Sequence, residues 1–191
     1  GSNVVSIARR TLGQDFFERR PQAVARELLG AYLVRRADER LTKSFMITET
    51  EAYDGPDDLA CHASRGRTKR TEVMFGPPGH WYVYFVYGMH EMLNIVTGPE
   101  GYPSAVLIRG VQYQGDASLL NGPGKLTREL DITRELNGKP AISASGLWIE
   151  ERDEVRPHRI LQTPRVGVAY AGEWAKKPWR YVLSGHVPVS R

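Results

Sequence analysis

Residues 81–97 read WYVYFVYGMHEMLNIVT, two strand-like runs separated by one glycine, and this limits the chain to folds that hold a hairpin. Side chains alternate faces along a strand, so Tyr82 and Tyr84 share one side while Val83 and Phe85 share the other. Gly88 accepts the backbone conformation of a tight reversal, which puts Tyr87 near the tip. Aromatic strands are ordinary core material. A tip tyrosine is not, because its ring stays exposed unless something covers it.

The hairpin sits among further strands. Residues 31–36 (AYLVRR) and 44–53 (SFMITETEAY) read as strands joined by a polar turn around Asp38 and Glu39, with others over 105–109, 146–150, 165–169 and 180–183. PQAVARELLG predicts a short helix: Pro21 suits its first turn, Val24, Ala25, Leu28 and Leu29 share a face, and Gly30 suits its end. A second helix is expected near 125–130. Strands follow one another instead of alternating with crossover helices, so the fold class is α+β with a curved, largely antiparallel sheet, flanking helices and a protruding hairpin. With 191 residues, one compact domain over 4–191 is expected, residues 1–3 being a tag remnant (Gly1, Ser2) and a short tail.

No apolar run approaches the ~20 residues that span a bilayer, so no membrane partner is expected. The one cysteine, Cys61, builds neither an internal disulfide nor a cysteine-based zinc site, which fits a reducing compartment. A net charge of +4 and a pI near 9.3 favour a polyanionic partner. The charge concentrates in SRGRTKR, where Arg65, Arg67, Lys69 and Arg70 form a basic loop that reads equally as a phosphate contact or as solvated surface.

In FMITETEAY, strict alternation puts Phe45, Ile47, Glu49, Glu51 and Tyr53 on one face. Carboxylates in line with apolar residues sit where burial shifts a pKa, unless they are surface acids at the end of an edge strand. DGPDDLACH adds Asp57, Asp58 and His62, but with no H-E-x-x-H, paired cysteines or calcium-loop spacing no metal is expected. His62 alone reads as a structural hydrogen-bonding residue or a group that orients substrate. NGPGKLTREL has Leu126 where a phosphate loop needs Ser or Thr, so an ATP site is rejected; Lys125 remains as a candidate contact to a backbone phosphate.

Five segments, ETEAYDGPDDLACHASRGR, MFGPPGHWYVYFVYGMHEMLNI, AVLIRG, GPGKL and PRVGVAYAGEWAKKPWRYVLSG, together resemble the alkyladenine (3-methylpurine) DNA glycosylase family from the first helix to the C-terminus. The resemblance implies a monofunctional DNA glycosylase of base excision repair. Such an enzyme flips a damaged purine out of double-stranded DNA and hydrolyses its N-glycosidic bond without metal or cofactor; its implied substrates are 3-methyladenine, 7-methylguanine and, as a further candidate, hypoxanthine. By motif, Glu51 matches the carboxylate that activates water and Arg109 a residue supporting that water and the flipped nucleotide. Tyr87 matches the residue filling the vacated stack, Tyr53, His62 and Tyr84 the walls of the base pocket, and Asn94 its gate against the guanine amino group. A monomer is the default expectation, in the cytoplasm at the nucleoid if the source is bacterial.

Physical chemistry accommodates these roles. Unstacking a base costs about a few kcal/mol, and a side chain left in the vacancy slows its return. A purine alkylated on a ring nitrogen is cationic and gains about 0.5–2 kcal/mol over tyrosine faces. The same charge makes it a good leaving group, so one carboxylate suffices where glycosidases use two. Two other classes compete: a non-enzymatic nucleic-acid-binding domain, which leaves Glu51 without a purpose, and a metal-dependent nuclease using Glu49, Glu51, Asp57 and Asp58.

Overall fold

Nine strands make one sheet in a computed structural model that describes residues 9–153 and 159–185, and all its strand pairs are antiparallel. The expected tag remnant and tail lie outside the described residues. In chain order the elements are α1 (Gln14–Phe17), α2 (Pro21–Leu28), β1 (Tyr32–Arg36), β2 (Thr42–Asp54), β3 (Trp81–Val86), β4 (His90–Val96), β5 (Ser104–Tyr113), β6 (Leu119–Asn121), α3 (Pro123–Glu129), β7 (Leu147–Glu150), β8 (Ile160–Thr163) and β9 (Arg180–Leu183), joined by turns and short 3-10 helices. The sheet runs β3-β4-β5-β2-β1-β7, with β6 beside β5, β9 beside β2 and β8 beside β9. Among the described residues no helix is long and apolar enough to cross a membrane.

Amphipathic spacing decides what packs where. In α2, Val24, Ala25 and Leu28 are buried on one side, and Gly30, at φ 87, turns the chain into β1. Leu126 of α3 and Leu130, the residue that follows that helix, enter the same core, where they meet Trp81, Val83, Leu93, Ile95, Val106 and Ile108 of the sheet. The opposite sides of β3 and β4 carry Tyr82, Tyr84 and Asn94, which line a cavity. The sheet therefore has an apolar face under the helices and a second, polar-aromatic face.

Two expectations fail here. Residues 165–169 are not a strand: Pro164 has no N–H to give a ladder, Gly167 turns back at φ 74, and the strand in this region is β8, which ends at Thr163. Strict alternation also fails in β2, which is no edge strand but lies between β5 on one side and β1 and β9 on the other. Its register with β5 slips twice, Ile47 pairing with Val111, Glu49 with Gly110 and Thr50 with Ile108. Thr48 on β2 and Arg109 on β5 are thus each an extra residue, a bulge facing a bulge. Phe45 and Ile47 point into the helix-side core together with Ala52, not with the glutamates, and the Thr50 hydroxyl donates to the Ala25 carbonyl of α2. Glu49, Glu51 and Tyr53 are released to the other face.

Candidate active site

A cavity of ≈620 Å³ opens on that second face, bounded by the β3–β4 hairpin, β5, the start of α3 and the turn after β8. Tyr53, His62, Tyr84, Tyr87, Asn94, Arg109 and Lys125 all line it, so residues spread over 73 positions of sequence share one cavity. Its aromatic side is a connected cluster. His62 lies 4.5 Å from the Tyr84 ring centroid, Tyr82 and Tyr84 are 5.2 Å apart, and His62 Nδ1 is 3.3 Å from the Tyr82 hydroxyl. Burial, with Arg70 and Arg65 adding to it, pushes the His62 pKa down and favours the neutral ring. Burial pushes the Tyr82 phenol up to about 12, so it stays a hydroxyl. Asn94, buried between the strands, donates its amide to the Tyr82 carbonyl at 3.2 Å, a bond that stiffens the hairpin from inside the pocket wall.

Glu51 lies one layer beneath, with 0% exposure. Its Oε1 accepts the Tyr53 hydroxyl at 2.9 Å and its Oε2 the Val166 amide at 2.7 Å, while Arg109 Nη1 stands 3.7 Å from Oε1. All three partners line the cavity, so the carboxylate is one side chain away from its contents. Burial is the largest influence on Glu51 and raises its pKa despite Arg109, the amide and the phenol, which all favour the anion. Neighbouring Glu49 behaves oppositely: burial pushes it up, but hydrogen bonds and charge from Arg180 and Arg109 prevail and hold it below the usual carboxylate range. Arg109 Nε donates to Glu49 at 2.8 Å and Arg180 Nη2 at 3.1 Å. Two adjacent carboxylates thus acquire different characters, one held as an anion by arginines and one that burial shifts toward the protonated form. The bulge pair permits this crowding, since a Cβ at Gly110 would stand 3.0 Å from the Thr48 hydroxyl and 3.2 Å from Glu49 Cβ.

The hairpin tip is exposed and apolar. Tyr87 is 91% exposed and Met89 70%, and Tyr87 and Gly88 both have positive φ, 55 and 63, with the Met89 amide donating to the Val86 carbonyl. That is the backbone of a type I′ turn, for which Asn-Gly is preferred; a bulky residue at the first central position is strained. In the basic loop, Arg65, Arg67, Lys69 and Arg70 are exposed. Arg67 pairs with Glu72 at 3.6 Å, and Arg70 lies 5.5 Å over the Tyr84 ring, contacting the Phe85 carbonyl. None of the four is among the residues lining the cavity, and Arg70 is the one in contact with the hairpin.

Sequence reasoning missed several participants. Tyr82 carried a visible signal, being on the same strand face as Tyr84. Val166 and Tyr170, both lining the cavity, carried none, because a contact between positions 115 residues apart leaves no local pattern. The carboxylates proposed for a nuclease are largely engaged: Glu49 by two arginines, Asp58 by Arg165. Among the described residues no three His, Cys, Asp or Glu side chains gather where they could hold a metal ion.

The family profile described as methylpurine-DNA glycosylase matches residues 15–187. A relative from Anaeromyxobacter sp. (strain Fw109-5) is 46% identical over 181 residues, 94% of this chain and 92% of its own length. One from Methanocella arvoryzae is 45% identical over 194 residues (94% and 96%), and one from Legionella pneumophila (strain Corby) 43% over 183 (95% and 99%). All three bear the name "Putative 3-methyladenine DNA glycosylase". The chain belongs to the methylpurine-DNA glycosylase family and is a DNA glycosylase.

Proposed function

We propose that the enzyme removes alkylated purines such as 3-methyladenine and 7-methylguanine, and hypoxanthine, by flipping the nucleotide into the aromatic cavity and attacking its sugar with water activated by Glu51. The observation that carries this reading is the Glu51 carboxylate, fully buried and raised in pKa, directly behind a wall of tyrosines. Water entering between Tyr53, Arg109 and Val166 gives its proton to Glu51, and the sugar's developing positive charge is stabilised by the same carboxylate. Tyr53, Tyr84 and His62 stack on the flipped base, and Asn94 stands at its edge. For a neutral base such as hypoxanthine, the leaving nitrogen needs a proton from another donor. The protein acts as a monomer on double-stranded DNA, at the nucleoid in a bacterial cell. Incubating it with a methylated duplex in excess chelator tests the reading: free base without strand cleavage supports it, and cleavage or no release removes it.

Tyr87 is the wedge in this scheme. A strained, exposed aromatic is retained where asparagine would serve the turn better, and such strain persists where the residue has a job to do. Tyr87→Asn is expected to raise stability by about 0.5–1 kcal/mol, because it relaxes the turn and loses no packing. The same change should weaken capture of the flipped base. A fluorescent base reporter that shows unchanged flipping would take this role from Tyr87.

The basic loop and Lys125 are the proposed backbone contacts. Each neutralised phosphate contributes a slope of about −0.9 to the log-log dependence of binding on salt. Arg67→Ala combined with Lys69→Ala should flatten that slope measurably, and an unaltered slope would move the footprint elsewhere.

A further inference from the structure

We propose that Arg165, clamped by Asp58, is a positioning residue that holds Glu51 in its reactive geometry; this rests on the reading of Glu51 as the water-activating base. Arg165 and Asp58 have fully buried side chains, and neither lines the cavity. Their pairing is bidentate, Nη1 to Oδ2 at 2.6 Å and Nη2 to Oδ1 at 3.0 Å. Asp58 is itself fixed by the amides of Asp54 and Ala60. What the guanidinium grips is the frame around Glu51. Nη1 also donates to the carbonyl of Ala52, the residue between Glu51 and Tyr53, and Nη2 to that of Trp174. The cation lies 5.0 Å over the Tyr53 ring, whose hydroxyl donates to Glu51, and 4.9 Å over that of Trp179. Next in the chain is Val166, whose amide is the shortest contact to Glu51. Both hydrogen bonds that hold the carboxylate are therefore one step from Arg165.

Stability alone explains this arrangement poorly. A buried ion pair is often matched or bettered by apolar residues of the same volume, and here the Nε of Arg165 is buried with no hydrogen-bond partner among the described residues, a further cost. A rigid bidentate fork does, however, fix two chain segments in direction as well as distance, which lysine cannot.

The test is single-turnover base release from a chemically methylated duplex across pH. It uses the wild type, Arg165→Lys, the double variant Arg165→Met with Asp58→Asn, and Glu51→Gln, each with a melting curve and with assays kept below the transition. Charged or titratable groups around Glu51 are Arg109 from β5, Glu49 and Tyr53 from β2, Tyr84 from β3, and Arg165 itself. Arg165→Lys keeps the charge and removes the clasp. We expect duplex affinity within about twofold and a maximal rate lowered roughly 10- to 100-fold. The acid limb should move to higher pH, because Glu51 loses the amide that favours its anion. A folded Arg165→Lys protein with the wild-type rate and limb overturns the proposal, whatever its melting temperature. So does a limb that moves in the double variant and not in Arg165→Lys, since charge alone would then be acting. If Glu51→Gln releases base normally, the underlying reading of Glu51 is what fails.

Discussion

Glu51→Gln is expected to slow single-turnover release of a methylated purine by about 100-fold or more while leaving affinity for damaged duplex nearly unchanged. The substitution keeps the shape and removes the proton acceptor, and a side chain with 0% exposure contributes little to binding DNA. The pH profile supplies a second readout. Glu51 works as the anion, and burial raises its pKa, so wild-type activity should be lost on acidification at a higher pH than an ordinary glutamate, near 4.3, would give. That limb should vanish from the residual activity of the variant. A near-normal rate with the limb intact would place the base elsewhere.

Asp58→Ala should produce the largest loss of stability. It strips both hydrogen bonds from one edge of the Arg165 guanidinium, whose side chain is fully buried, and leaves the Asp54 and Ala60 amides without their acceptor. Removing one partner of a buried pair costs about 3–5 kcal/mol. In a domain this size that is a fall in melting temperature of about 10 °C, at roughly 2–4 °C per kcal/mol. Lys69→Ala, an exposed control, should stay within about 0.5 kcal/mol of wild type. A fall below about 3 °C for Asp58→Ala would mean that water or another group compensates Arg165.

What the sequence reveals of this site follows the range of each interaction. The hairpin was legible because Tyr82, Tyr84 and Gly88 specify it within seven residues, and the helix at Pro21 because its apolar spacing is local. The two-residue step from Glu51 to Tyr53 likewise survives in the structure as a hydrogen bond. Phe45 and Ile47 misled, because a bulge at Thr48 changes the phase of side chains without any residue type announcing it. Residues 165–169 misled for a related reason: PRVGVA has the apolar alternation of a strand, but its Val166 amide bonds a carboxylate instead of a neighbouring strand. Apolar alternation does not report what an amide is bonded to.

The facing bulges also set how this pair of strands can change over time. Each strand carries one residue more than a regular ladder would need, and the two extras cancel, so pairing is restored on both sides. Deleting Thr48 alone would act like a frameshift in space, sliding one half of β2 against β5 until inward residues oppose outward ones. A second deletion, at Arg109, would bring the strands back into phase, much as paired deletions restore a reading frame. The repaired sheet would have lost the cation beside Glu49 and Glu51, so the two strands can be shortened together only by a lineage that no longer needs that arginine.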